Sequence, residues 1–195
     1  RCQVTLERIG EQFEALTVLS VLNAEGGIVC ADDRRLIGER IGDASLLATA
    51  SARLEAVIGF SEADASFVAV APAELRAQSG DSYVAVTRPA GPVLDLHRSE
   101  GPWNANLVAN GSGRILFSQG LDIDSREARE IRDLLVSSSA ELLSNAQRVG
   151  ETWVVATELE PGRLYMIHAW RPPPPTFMDN LRSIWTLLAP ILLWL

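Results

Sequence analysis

The sequence contains no lysine, and all 17 of its basic residues are arginine. Histidine and cysteine are scarce too, at two each. Each shortage removes a class of function. No cluster of basic residues interleaves with aromatics, so the electrostatic footprint of a nucleic-acid binder is missing. The formal charge of −8 would also repel anionic lipid headgroups. Neither His97 nor His168 has a Glu, His or Cys at a spacing suited to zinc. His97, in Leu96-His97-Arg98-Ser99-Glu100, reads as an exposed loop residue. No Gly-x-Ser-x-Gly element is present to carry a hydrolase nucleophile, and Gly111-Ser112-Gly113 is better explained as a turn. Asp122 and Asp124 lack the ligand ladder of a calcium loop. No catalytic residue, metal site or cofactor is therefore expected.

What is present is enough apolar material for a core. Hydrophobic residues make up 47% of 195 positions and charged ones 22%, which argues against disorder and allows one large domain or two small ones. The chain starts at Arg1 without an initiator Met and stops inside an apolar run, so it is expected to be a fragment of a longer protein.

A short echo divides the chain. Val21-Leu22-Asn23-Ala24-Glu25-Gly26-Gly27-Ile28-Val29-Cys30-Ala31 is answered, 87 residues on from Val21 to Val108, by Val108-Ala109-Asn110-Gly111-Ser112-Gly113-Arg114-Ile115-Leu116-Phe117-Ser118. Each copy reads as a hairpin, because Asn and Gly tolerate the positive φ of tight turns. Helical stretches follow, roughly Asp33 to Leu54 and Asp124 to Leu143, the second with Asp124 and Glu127 at capping-box spacing. Three strands then close each half: 56–60, 67–71 and 83–87 in the first, and 147–149, 151–158 and 163–170 in the second. Leu164, Met166, His168 and Trp170 alternate onto one face. Hairpin, helix and three antiparallel strands is the order of a PAS-like unit. The expected fold class is α+β, with two such units in tandem; the alternative is one elaborated domain with a degenerate first half. The divisions are an N-terminal helix over 1–15, a first unit over 16–103, a second over 104–171, and a Pro linker with the start of a membrane helix over 172–195.

The two ends carry location signals. Leu6, Ile9, Phe13 and Leu16 mark one helix face, with Cys2 one turn before Leu6, and Cys30 sits in the strand Ile28–Ala31. A helix packed on that sheet would bring Cys2 and Cys30 together as a disulfide; the alternative is two buried free thiols. At the other end Ile184 to Leu195 reads IWTLLAPILLWL. Twelve helical residues rise roughly 18 Å against about 30 Å of hydrocarbon, so the run would span only if it continued. Before it come Pro172 to Pro175, a stiff spacer, and a capped helix start at Thr176 and Asp179. A transmembrane helix is expected, the alternative being a buried or surface-lying helix.

The early-Cys helix, the strand pair around Asn23 to Cys30, and the second hairpin leading to an apolar C-terminal helix resemble a Cache-type sensor region. The likeness is to the periplasmic tandem Cache region of alphaproteobacterial sensor histidine kinases, including the HWE group. It implies a non-catalytic periplasmic input domain, anchored in the inner membrane and homodimeric in the full protein. Such a domain answers an unknown small ligand or periplasmic protein and relays the signal to a cytoplasmic output. Gly42-Asp43-Ala44-Ser45-Leu46-Leu47 stands where relatives carry an Asp-Arg-Pro-Tyr-Phe-like element, so no ligand residue is carried over. From the strands themselves, Tyr83, Arg88, Tyr165 and His168 are the ligand candidates, expected to face the helical layer. Other readings are a protein-interaction module without a small ligand, the input of a diguanylate cyclase or chemoreceptor, and a membrane-anchored hydrolase.

Overall fold

The structure, a computed structural model, describes residues 2–11, 17–41, 44–73, 82–95 and 103–172. Among the described residues, ten strands form two five-stranded antiparallel sheets. In the first, β1 (Val18–Leu22), β2 (Ile28–Ala31), β3 (Val57–Ser61), β4 (Ser66–Ala73) and β5 (Ser82–Pro89) lie in the order β2-β1-β5-β4-β3. In the second, β6 (Trp103–Asn110), β7 (Ile115–Gln119), β8 (Gln147–Val149), β9 (Thr152–Glu160) and β10 (Leu164–Arg171) lie in the order β7-β6-β10-β9-β8. The two orders are the same arrangement repeated, so the halves are equivalent α+β units. The echo in the sequence marks equivalent hairpins, β1–β2 and β6–β7.

The equivalence extends to single atoms. Asn23 Oδ1 accepts hydrogen bonds from the backbone N–H of Glu25 and Gly27, at 3.1 and 2.8 Å. Asn110 Oδ1 accepts them from Ser112 and Arg114, at 3.1 and 2.9 Å. Gly26 and Gly113 complete the turns at φ +81° and +82°, a region that disfavours residues with a Cβ. Both hairpins carry a bulge at the same place. Val21 pairs with Cys30 but Leu22 with Ile28; Val108 pairs with Phe117 but Ala109 with Ile115. The extra residue reverses the alternation of faces, so Ile28 and Cys30 belong to different cores, as do Ile115 and Phe117.

Each sheet is covered on both faces. In the first unit α2 (Ala44–Arg53) packs Leu46, Leu47 and Ala50 against Leu22, Val57, Val70, Tyr83 and Ala85. On the opposite face α1 (Cys2–Gly10) packs Leu6 against Leu19, Val21 and Cys30. Cys2 and Cys30 are joined as a disulfide across that contact, with Cα atoms 6.4 Å apart. Ile9, read as part of the buried stripe, is exposed, and α1 ends at Gly10. Phe13 and Leu16 lie outside the described residues. In the second unit α4 (Arg126–Ser144) buries Ile131, Leu135 and Leu142 against Leu107, Val154 and Ile167. The other face meets α3 (Ala90–Asp95) through Ala90, Leu94, Val108 and Leu164, and also Ile58, Phe60 and Phe67 of the first unit.

Two expected helices are corrected. The stretch from Asp33 to Leu54 is not one helix. Asp33 caps a single 3-10 turn, Arg34–Leu36, accepting from Arg35 N–H and binding its guanidinium at 2.8 Å. The chain then returns to the hairpin, where Ile28 N–H donates to Glu39 O and Ile41 N–H to Gly26 O. These bonds satisfy the backbone outside a helix, and α2 begins only afterwards. At α4 the cap is Ser125, not Asp124; its hydroxyl accepts from Ala128 N–H. Asp124 instead donates its own N–H to Asp122 Oδ1. Ser138 breaks α4 with φ −144° and ψ 39°, within a run of serines whose hydroxyls compete for helix carbonyls, as Ser137 does for Asp133 O.

His97 and the apolar run 184–195 lie outside the described residues. Among the described residues, no helix is long and apolar enough to cross a membrane.

Candidate functional site

A cleft of about 330 Å³ opens at the end of the first sheet, between α2 and the β3–β4 hairpin. Leu46 of α2 and Val68 give it an apolar floor, Phe60 lines it at the edge strand β3, and Glu62 stands at its rim. It adjoins a second space of about 450 Å³ along the seam between the units, which shares Leu46, Phe60 and Glu62 and adds Asn110, Arg163 and Leu164. An apolar floor with a few charged groups at the edge is the chemistry of a small-molecule pocket. Phe60 is steadied by Phe67, edge-on at 5.4 Å, and by Phe117 at 6.2 Å. Gly59 keeps Leu46 close, since a Cβ there would meet Leu46 Cδ1 at 2.9 Å.

The seam is held by charge and by close backbone contact. Glu160, at the end of β9, is only 4% exposed. Its carboxylate pairs with Arg53 at the end of α2 and accepts Ile58 N–H at 3.3 Å. β3 is the edge of its sheet, so this carboxylate takes the place of a missing neighbouring strand. Immediately after the Pro161-Gly162 turn, Arg163 donates to Thr49 Oγ1 at 2.6 Å and Ser45 Oγ at 3.0 Å, both on α2. Arg114 reaches Glu62 at 2.7 Å. Gly111 touches the Gly162 turn so closely that an added Cβ would lie 2.1 Å from Gly162 O.

The four expected ligand residues are not brought together. Tyr83 lies on the α2 face of β5, within the first core. Arg88, five residues on along the same alternating strand, has the parity of Val86, which packs on the α1 face. Tyr165 faces α4 in the second core. Burial, with Glu158 beside it, pushes its phenol above the usual tyrosine range. His168 lies on the opposite face of β10, with Leu164 and Met166, where it stacks on Trp170 at 5.4 Å. Asn106 gives its amide N–H to Leu94 O, so its Oδ1 accepts from His168 Nδ1 at 2.7 Å. Among the described residues no group of three His, Cys, Asp or Glu is placed to hold a metal ion.

Sequence reasoning passed over Phe60, Glu62, Glu160 and Arg53. Glu160 and Arg163 flank a turn that was legible, but nothing local marks a carboxylate that will be buried against another unit.

Two PAS-like sheets in tandem, each with a helix on either face, define an α+β fold in which one strand order is repeated. No protein-family model and no curated protein matches the chain. Solved structures do share the fold. An extracellular ligand binding receptor from Desulfohalobium retbaense superposes with a TM-score of 0.60 at 13% identity, over 86% of this chain and 32% of that one. The chain thus spans about a third of that receptor's length. The sensor domain of the Vibrio cholerae histidine kinase DctB superposes with a TM-score of 0.50 at 12% identity, over 88% of this chain and 78% of that one.

Proposed function

We propose that the chain is the periplasmic input domain of a membrane-bound sensor kinase and that a small molecule binds in the cleft beneath α2. The fold shared with extracellular sensor domains supports a sensory role. The observation that carries the site is that one helix serves both jobs. The apolar face of α2 walls the cleft through Leu46, while its polar side holds the second unit through Ser45, Thr49 and Arg53. A ligand that moves α2 therefore moves the β9–β10 turn. From there β10 runs to Arg171 and Pro172, toward the apolar segment that we take to cross the inner membrane to a cytoplasmic kinase. In this reading residues 16–103 are the membrane-distal unit and 104–171 the membrane-proximal one, and the full protein acts as a homodimer.

The test has two stages. Amino acids, amines and small carboxylates are screened by thermal shift against the chain, and hits are measured by calorimetry. A ligand of this site loses affinity in Phe60→Ala and keeps it in Leu54→Ala, a change at an exposed position beside α2. The domain is then placed on a kinase reporter, where Glu160→Gln is expected to leave ligand affinity unchanged and reduce the response. If no compound binds, the small-molecule reading fails. If Glu160→Gln signals normally, the α2 route is wrong.

A further inference from the structure

A third cleft, of about 700 Å³, lies wholly in the second unit, between the β6–β7 turn and the first turns of α4. It shares no lining residue with the α2 cleft, and the Arg114–Glu62 pair stands between the two. Three arginines line it, Arg114 from the turn and Arg129 and Arg132 from α4, together with Asp124. That concentration of guanidinium stands in a chain whose net charge is −8. Arg114 is held by Glu62 and Arg132 by Asp133, both in exposed pairs that leave most of each guanidinium fork unused. Arg129 is different. Its Nε donates to Ser125 O at 3.4 Å, and it makes no ion pair among the described residues. A second observation points the same way. Ile123, which lines the cleft with Ile115 and Ala128, is 46% exposed, so an apolar side chain stands open to water in the same cleft as this arginine.

We propose that this cleft binds a small organic anion. A carboxylate or phosphate group is forked by Arg129 with help from Arg114 and Arg132, and a short aliphatic body covers Ile123. The first turn of α4 then connects the cleft to the exit of the fold. Glu127, between Asp124 and Arg129, pairs with Arg171, the last residue of β10. Arg171 is also set over the Trp103 ring at 4.7 Å.

The test is calorimetric titration of the chain with glutarate, glycerol 3-phosphate and inorganic phosphate at low and high salt. Saturable one-to-one binding of at least one organic anion is expected, tighter than that of inorganic phosphate and weaker at high salt. Arg129→Gln is expected to weaken it about tenfold, the loss of one charge-assisted contact, with part of the affinity kept in Arg129→Lys. Arg126→Gln, on the same helix but held by Glu130, leaves it unchanged. Phe60→Ala also leaves it unchanged, which separates this site from the α2 cleft. The proposal is overturned by absence of saturable binding, by equal affinity for inorganic phosphate, or by equal losses in Arg126→Gln and Arg129→Gln. Loss in Phe60→Ala would place the anion in the other cleft and overturn it too.

Discussion

At the scale of the residue, two asparagines organise the hairpins that define the units. Each satisfies two backbone donors that the turn would otherwise leave to water. Asn110→Ala is expected to lower stability by about 1–2 kcal/mol, with Asn23→Ala similar, as read from urea midpoints at constant m. Tyr165 gives the fold a pH dependence. Its phenol is raised in the folded state, so the neutral form is favoured there. The associated stability is fully present below the unfolded value of about 10 and is lost as pH rises through the folded value. Tyr165→Phe should therefore flatten the fall of melting temperature above about pH 10. An unchanged alkaline limb would remove Tyr165 as its source.

At the scale of the element, the β-bulge does more than shape a hairpin. Residues two apart on a regular strand share a face, and Ile28 already faces α2. Cys30 reaches α1 only because the bulge at Val29 reverses the alternation. The disulfide therefore depends on an irregularity. Deleting Val29 is expected to turn Cys30 away from Cys2, leaving two titratable thiols in the folded chain where the parent has none. The bond itself closes a separation of 28 residues. On the chain-entropy account that stabilises the fold by about 3–4 kcal/mol. Much at this scale was legible in the residues. Alternation placed Leu164, Met166, His168 and Trp170 on one face, and the structure has that face turned from α4. The helix expected from Asp33 failed because Asp33 spends its carboxylate on a local turn, and a competing local bond leaves no trace in apolar spacing.

At the scale of the molecule, the two units are joined by a buried carboxylate rather than by apolar contact alone. Glu160 binds a cation and caps an edge strand together. Glu160→Gln keeps an acceptor for Ile58 N–H and is expected to cost about 1 kcal/mol. Arg53→Met leaves the carboxylate buried without its cation and is expected to cost more, about 2–3 kcal/mol. In both, hydrogen exchange at the Ile58 amide should quicken more than at amides of the sheet centres. Equal protection in parent and variants would show that the seam is held elsewhere.

The sequence by itself determined the repeated hairpin, the α+β class and the pairing partners available to Cys2, because turn chemistry and periodicity are local. It also named the three closing strands of each unit to within about two residues, but not where the first strand of each hairpin begins. Only the tertiary structure decided which faces meet. Tyr83 and Arg88, or Tyr165 and His168, are neighbours along a strand and yet lie on opposite sides of it. Glu62, Glu160 and the arginines of α4 acquire their roles from residues far away in the chain. Pockets arise where separate elements converge, within a unit or across the seam, and convergence depends on tertiary packing rather than on the order of residues along the chain.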